Sequence, residues 1–205
     1  MGVLWFAMPK GACIVQRETP TGAPLGETTD DDLMALAQAG SQEAFGVLVE
    51  RHARRVVRLC RRFVGDSDLA AELAQATWVD LWFRRGQYRP DGQFVVWLIT
   101  AARNRCRNHL RRRGVERKYA LTVVAPDDGG SPEQNDDPLG ADRRLRVRDA
   151  LARLPDAMRE ALLLRFAEDL RYEEMAKIVR SGESTLRSRV HHGLQRLRQL
   201  LEKNK

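Results

Sequence analysis

The feature that most limits how this chain can fold is a three- and four-residue spacing of apolar side chains over two long stretches. The spacing fills residues 29–113 and 146–205 and stops between them. Neither stretch shows the alternation of apolar and polar residues that is typical of a strand. The aromatic content of 6% is also low for a β-sandwich and ordinary for small helical domains. The pattern therefore predicts an all-α chain with two small helical domains.

The residues between the two stretches have the composition of a flexible linker. Residues 114–145 are rich in Pro, Gly, Asp and Ser, which favour turns and extended chain. Counting Lys and Arg against Asp and Glu gives +6 for residues 31–113, −3 for 114–145 and +5 for 146–205. We therefore expect two basic helical modules on either side of an acidic tether, preceded by a disordered tail over residues 1–28.

Charge and cysteine usage narrow the class of protein. A net charge of +7 suits a polyanionic partner, of which nucleic acid is the commonest. Cys13, Cys60 and Cys106 are odd in number and far apart, which argues against a disulfide framework or a zinc site. We expect Cys60 and Cys106 to be buried thiols in a reducing cytoplasm. The apolar start Met1–Met8 is too short to span a bilayer and is a poor signal peptide.

Signs of catalysis are missing from the sequence. We find no carboxylate pair near a histidine, no Gly-rich phosphate loop and no metal-ligand spacing. We therefore expect no enzyme activity, no cofactor and no metal. A cytoplasmic DNA-binding protein is the interpretation that these observations favour.

Two short amphipathic segments near the end of the chain have the form of a helix-turn-helix. A turn at Arg180–Gly182 separates them, and an apolar stripe follows in the second segment: Leu186, Val190, Leu194 and Leu197. The polar residues of the second segment should then point outward, where an α-helix can enter the major groove. These residues are Thr185, Arg187, Ser188, Arg189, His191 and His192. The alternative is an ordinary helical hairpin with a solvated basic face.

These six outward residues divide into two groups. We expect Arg187, Ser188 and His191 to read bases. Thr185, Arg189 and His192 should hold phosphates, although Arg189 could instead form a structural ion pair.

A helix starting near Phe94 should also have two faces. Phe94, Trp97, Leu98 and Ala101 form its apolar side, and the opposite side carries arginines and asparagines, Arg103 among them. Amide side chains can hydrogen-bond unpaired bases, and arginines can neutralise the phosphates of a separated strand. The candidate residues are Asn104, Arg107, Asn108 and Arg111 on the helix, with Gln87 and Arg89 in the basic loop before it.

Both blocks resemble the extracytoplasmic-function sigma factors of the sigma-70 family. Tyr172–Val179 and Ser184–His191 are similar to the sigma-4 helix-turn-helix, and Leu151–Arg165 is similar to the helix before it. The motifs of the first block fall in the order of the sigma-2 domain: Gly40–Phe45, Gln75, Trp82, Phe94, Trp97, Leu98 and Ala102–Asn104.

The resemblance implies a promoter-specificity subunit of RNA polymerase. Sigma-2 (29–113) would dock on the β′ clamp helices through Glu72 and Gln75, and would open the minus-ten element. Sigma-4 (146–205) would bind the β flap and read the minus-thirty-five element. The tether would thread through the basic channels of the core enzyme, and an anti-sigma factor or other regulator is an expected partner.

The sequence departs from this family at three places. The acidic run before Gln75 is thinned to Ala70–Glu72, Arg180 stands where Gly is frequent, and Gly193 stands where Ala is common. Phosphorylation of Thr77 would restore negative charge near the thinned run, unless Thr77 is a plain buried or capping residue.

A conventional helix-turn-helix regulator, with the first block used for sensing or dimerisation, is the alternative function. The block from Trp97 to Asn104 argues against it.

Overall fold

A computed structural model describes residues 25–112 and 146–202 of the chain. Within these two ranges all regular structure is helical, which confirms the all-α prediction. The linker predicted at 114–145 and residues 1–24 of the predicted tail lie outside the described residues. The last part of that tail differs from expectation, because Leu25–Glu27 forms a 3₁₀ turn. Arg51 Nη2 donates to the carbonyl oxygens of Leu25 and Gly26, at 3.3 and 2.6 Å, and ties the turn to the first module.

Four helices form the first module: α1 (Asp30–Gln38), α2 (Gln42–Val64), α3 (Ser67–Phe83) and α4 (Phe94–Arg112). The side chains of Thr29, Ser41 and Asp66 each accept a hydrogen bond from a backbone N–H of the helix that follows. Gly65 ends α2 in the left-handed conformation, with φ 74°. Local sequence therefore determines where these helices begin and end.

The core of the first module forms around α2, which packs against α1, α3 and α4. Leu59 and Phe63 of α2 and Leu98 and Ile99 of α4 are each at most 2% exposed. Burial of side chains of this size contributes about 2 kcal/mol each. The apolar periodicity of the sequence is thus confirmed as the source of this core.

Cys60 and Cys106 lie within the same core, as predicted, and neither is exposed to solvent. A hydrogen bond with Cys60, together with burial, raises the pKa of the Cys106 thiol. A protonated, buried thiol is a poor nucleophile. The two cysteines are therefore packing residues of the α2–α4 contact.

The second module contains a helical segment over residues 146–152 (α5), then α6 (Asp156–Leu162), α7 (Tyr172–Val179) and α8 (Glu183–Glu202). A π-helical turn, Leu163–Ala167, follows α6 directly. Pro155 immediately precedes α6 as its N-cap. Helices α7 and α8 pack on each other, and α8 also packs on α6.

The apolar stripe predicted for α8 is wrong at one position. Leu186 and Val190 are buried, but Leu194 is 43% exposed, and Gly193 takes the buried place beside it. A Cβ atom on Gly193 would lie 3.2 Å from Leu162 Cδ1, so the glycine lets α6 and α8 approach closely. The departure from the family at Gly193 therefore has a packing reason.

The two modules pack against each other through α4 and α7. Arg103, which the sequence placed on the solvent face of α4, is instead 6% exposed and bonded to Glu160 of the second module. The prediction was wrong for Arg103 because a single helix's periodicity does not show which second domain will cover its polar side.

Arg180 ends α7 in the left-handed conformation, with φ 55° and ψ 51°. This conformation costs a residue with a Cβ atom about 1–2 kcal/mol, which explains why glycine is frequent there. We expect Arg180→Gly to raise the free energy of unfolding by about 1 kcal/mol, measured by urea titration followed by circular dichroism. Arg196→Gly, in the interior of α8, is the matched control and should lower it by about 1 kcal/mol. Equal losses in both variants would contradict the assignment of strain to Arg180.

Candidate nucleic-acid interface

Helices α7 and α8 form the predicted helix-turn-helix. Met175 and Ile178 of α7 pack with Leu186 and Val190 of α8, and each of these four is at most 4% exposed. This packing turns the polar face of α8 outward. Five of the six predicted DNA-contacting residues are exposed on it: Thr185, Arg187, Ser188, His191 and His192.

Arg189 is half-buried at the edge of this face. No ion pair of Arg189 occurs within the described ranges, which does not support the alternative of a structural salt bridge. The rings of His191 and His192 lie 5.4 Å apart between centroids. A neutral imidazole can donate or accept, so both side chains are suited to bases or phosphates.

Arg187 is held in place by two neighbours. Its Nη2 atom lies 2.9 Å from Glu183 Oε2, one turn earlier on α8. Its guanidinium also lies over the ring of Tyr172, 5.2 Å from the centroid, while Arg165 lies 5.7 Å from the same ring. Cation–π contact and ion pair together restrict the rotamers of Arg187 before any DNA is bound. Sequence reasoning missed Tyr172 and Glu183 as its supports, although the i, i+4 spacing of Glu183 and Arg187 is a detectable signal.

Helix α4 has the two faces that its sequence predicts. Phe94 and Leu98 are buried, and Trp97 is half-buried with its ring 5.2 Å from that of Tyr88, which confirms Trp97 as part of the apolar side. The predicted minus-ten residues of the helix are all exposed: Asn104, Arg107, Asn108 and Arg111. Asn104 and Asn108 are four residues apart, as are Arg107 and Arg111, so all four lie along one strip of the helix.

The loop before α4 is anchored rather than free. Gln38 Nε2 donates to the carbonyl oxygens of Arg85 and Tyr88, at 2.8 and 2.7 Å. Arg85 Nε donates to the Ala37 carbonyl oxygen at 3.0 Å, and the Tyr88 hydroxyl donates to Asp31. Burial and the bond to Asp31 raise the pKa of Tyr88. Asp31, in the acidic first turn of α1, thus helps to fasten a loop more than fifty residues later, which the sequence did not indicate.

The side chains of this loop differ in their exposure to solvent. Gln87 and Arg89 are exposed, whereas Tyr88 between them is buried. Gln87 and Arg89 therefore remain available to a ligand on a loop whose backbone is fixed.

The predicted polymerase-docking residues Glu72 and Gln75 are both exposed on α3. Their i, i+3 spacing places them on one face. Ala70, one of the alanines that thin the acidic run, is completely buried. A carboxylate at that position would be desolvated. The alanine at position 70, where the family's acidic run is thinned, therefore reflects packing of the core.

The structure contradicts the phosphorylation hypothesis for Thr77. The residue is 0% exposed, and its hydroxyl donates to the Leu73 carbonyl oxygen at 2.7 Å. A kinase could not reach this oxygen in the folded module. The alternative of a plain buried threonine is confirmed.

No group of His, Cys, Asp or Glu side chains among residues 25–112 and 146–202 is arranged to hold a metal ion. No helix in the same ranges is long and apolar enough to cross a membrane.

A helix-turn-helix in one helical module and a strip of amides and arginines in the other define a DNA-binding transcription protein. Comparison with known proteins gives the family. Residues 48–115 match Sigma-70 region 2, and residues 144–197 match Sigma-70, region 4. The chain therefore belongs to the extracytoplasmic-function sigma factors of the sigma-70 family, and it directs transcription initiation.

Individual relatives agree with this assignment. The RNA polymerase sigma factor CarQ of Myxococcus xanthus is 35% identical over 163 residues, which are 79% of this chain and 91% of CarQ. The ECF RNA polymerase sigma factor SigE of Mycolicibacterium smegmatis is 34% identical over 192 residues, 91% of this chain and 70% of SigE. The fold is similar to that of CnrH in complex with the cytosolic domain of CnrY, with a TM-score of 0.66, 23% identity, and 86% and 99% of the two chains covered.

The burial of Thr77 predicts losses of stability of different size for two substitutions. Thr77→Glu would place a carboxylate without a partner in the core, and we expect it to lower the free energy of unfolding by about 3 kcal/mol or more. Thr77→Val keeps the shape of the side chain and should cost only about 1 kcal/mol. Urea titration of both variants checks the difference. A stable Thr77→Glu protein with raised promoter-specific transcription would restore the phosphorylation hypothesis.

Proposed function

We propose that the two modules divide promoter recognition between them, with residues 29–113 acting as sigma-2 and residues 146–205 as sigma-4, joined by a tether at 114–145. The observation that carries this proposal is the two-sided helix α4. Its apolar side is built into the core, so its strip of amides and arginines is presented on a rigid support.

The α4 strip would open the minus-ten element. Asn104 and Asn108 are one turn apart and can hydrogen-bond the edges of unpaired bases. Arg107 and Arg111 alternate with them and can neutralise the phosphates of a separated strand. Because these four side chains already lie along one helix face, little ordering is needed when DNA arrives.

The anchored loop before α4 would receive a base that is flipped out of the minus-ten element. Flipping costs a few kcal/mol of unstacking, so a preformed polar pocket must offset it. Gln87 and Arg89 can line such a pocket. Tyr88 cannot act as its stacking platform without leaving the core, because it is 6% exposed and bonded to Asp31.

Helix α8 would read the minus-thirty-five element. Arg187, Ser188 and His191 would contact bases, while Thr185, Arg189 and His192 would hold phosphates on either side. The contact of Arg187 with Tyr172 supports its role as the main base reader, since a restricted guanidinium loses less entropy when it binds.

Docking on the core polymerase would use both modules. Glu72 and Gln75 on α3 would contact the β′ clamp helices, and the second module would bind the β flap. The protein would lend specificity to the polymerase in the cytoplasm without catalysing a reaction itself, and an anti-sigma factor would control its release. Support comes from the relatives named as RNA polymerase sigma factors.

The alternative of a conventional helix-turn-helix regulator has less support. It leaves the match of residues 48–115 to Sigma-70 region 2 without an explanation. It also gives no role to the exposed strip on α4.

Replacement of Arg187 tests base reading by α8. We expect Arg187→Ala to weaken binding to the minus-thirty-five element by about 1–3 kcal/mol and to relax specificity at one base pair. Arg198→Ala, exposed further along α8, should weaken binding about equally for all sequences, as loss of a phosphate contact would. Selection of binding sites from random duplexes by reconstituted holoenzyme measures both effects. A uniform loss for Arg187→Ala would reduce its role to a phosphate contact.

Replacement of Asn104 tests the proposed opening surface. We expect Asn104→Ala to allow formation of the closed complex but to impair strand separation, because an exposed amide that contacts unpaired bases is lost. Permanganate reactivity of minus-ten thymines should fall, and a template with a pre-melted bubble should restore transcription. Gln42→Ala removes an exposed amide at the start of α2 and serves as the control. Normal permanganate reactivity, or failure of the bubble template to restore transcription, would remove Asn104 from the opening surface.

A further inference from the structure

The loop between α3 and α4, residues 84–93, is held along its length by one face of α1. Gln38, at the end of α1, donates to the carbonyl oxygens of Arg85 and Tyr88. Asp31, in the first turn of α1, accepts from the Tyr88 hydroxyl with Oδ1 and from the Gly92 backbone N–H with Oδ2. Asp31 and Gln38 are two turns apart, so they lie on the same face of the helix. Helix α1 therefore holds the loop near its start, at its middle and near its end.

Asp31 is the stronger of the two anchors. Its carboxylate joins two points of the loop, and charge-assisted hydrogen bonds of this kind are about twice as strong as neutral ones. Burial, and after it the bond to Asp31, raises the pKa of Tyr88, so its hydroxyl keeps the proton that it donates. The Tyr88 ring also packs on the apolar side of α4, with its centroid 5.9 Å from that of Phe94 and 5.2 Å from that of Trp97. Tyr88 is therefore fixed both by α1 and by α4.

The anchoring of Tyr88 sets the direction of the side chains beside it. The backbone at Tyr88 is extended, with φ −70° and ψ 137°. Neighbouring side chains of an extended chain point to opposite sides, so a buried Tyr88 turns Gln87 and Arg89 toward solvent. Both are exposed. An amide and a guanidinium are thus held in place by hydrogen bonds that neither of them makes.

Helix α1 is itself a rigid support for the loop. Leu33 and Met34 of α1 are 0% exposed and fix it in the core of the first module. Asp30 accepts a hydrogen bond from Arg51 of α2 at 2.9 Å. The two neighbouring acids therefore have separate roles, since Asp30 ties α1 to α2 and Asp31 ties the loop to α1.

We propose that Asp31 and Gln38 are positioning residues for base selection in the minus-ten element. They act through Tyr88 and the loop backbone on Gln87 and Arg89. The ligand is one unstacked base of single-stranded promoter DNA, which the amide and the guanidinium contact. Helix α1 thereby determines how strongly one base is preferred without contacting that base. The inference rests on the proposed role of the loop as the acceptor of a flipped base.

The expected effect follows from preorganisation of the loop. A site that is correctly arranged for only a fraction of the time binds its ligand more weakly by that fraction. Loss of the anchors lowers this fraction and weakens binding of the preferred base, whereas a base that the loop does not hold loses nothing. The preference at one position of the minus-ten element should therefore fall. The exposed arginines of α4, Arg107 and Arg111, should maintain binding to the phosphates.

Base selection by the holoenzyme tests the proposal. The probe is a pool of single-stranded oligonucleotides with a randomised minus-ten segment, sequenced before and after binding. Gln87→Ala and Arg89→Ala identify the position at which the loop selects a base. We expect Asp31→Ala to lower the preference at this same position by about fivefold or more and to leave the other positions unchanged. Glu43→Ala removes the first-turn acid of α2, is the matched control, and should keep all preferences.

Three further variants separate positioning from a general loss of structure. Tyr88→Phe removes only the hydroxyl that Asp31 accepts and leaves α1 unchanged, so it should lower the same preference by a smaller factor. Asp31→Glu keeps both carboxylate oxygens and should retain more of the preference than Asp31→Ala. Gln38→Ala should act at the same position, whereas its control Gln42→Ala, which removes an exposed amide of α2, should not.

Hydrogen–deuterium exchange of the free chain measures the order of the loop without DNA. We expect residues 85–92 to exchange about tenfold faster in Asp31→Ala, with α1 and α2 unchanged. If α1 also exchanges faster, Tyr88→Phe decides the question. Unchanged exchange in the loop, or an unchanged preference at the position that Gln87→Ala affects, would overturn the inference. Absence of any effect of Gln87→Ala and Arg89→Ala would instead reject the proposed role of the loop in base flipping.

Discussion

The burial of one side of α4 is the constraint on which the rest of the structure depends. Leu98, Ile99, Ala102 and Cys106 are each at most 1% exposed and fasten the helix to α2 and α3. Burial of the larger of these side chains contributes about 2 kcal/mol each, which no surface contact on the polar side matches. The apolar side therefore sets the rotation of the helix about its axis. The amides and arginines opposite occupy their positions as a consequence.

The same helix brings the two modules together, by a different kind of interaction. Arg103 lies on the polar side of α4 and meets Glu160 in a place that excludes most water. Attraction between buried charges roughly offsets the cost of desolvating them, so such a pair adds little net stability while making the position of its partners specific.

Three places in the chain show how local backbone choices support the DNA-binding surfaces. Gly193 lets α6 approach α8, Arg180 turns the chain between α7 and α8 at the expense of strain, and Gln38 fastens the loop before α4. None of the three is itself a predicted DNA contact. Each nevertheless determines the direction in which a contact residue points.

The sequence by itself determined the helices, the order of the modules and most of the outward-facing residues. The three- and four-residue spacing and the caps at Ser41 and Asp66 act over one or two turns, so they can be recognised without any tertiary information. The exposure of Asn104 and of Arg187 was predicted in this way.

Only the tertiary structure decided which polar residues are covered. Arg103 and Thr77 lie on faces that their own helices leave ambiguous, and both are buried by neighbours distant in sequence. Tyr88 reaches Asp31, 57 residues earlier, and Glu168 reaches Arg55, 113 residues earlier. The periodicity of a single helix cannot predict such pairs. They form only when the packing of whole helices brings together two surfaces that are distant in sequence.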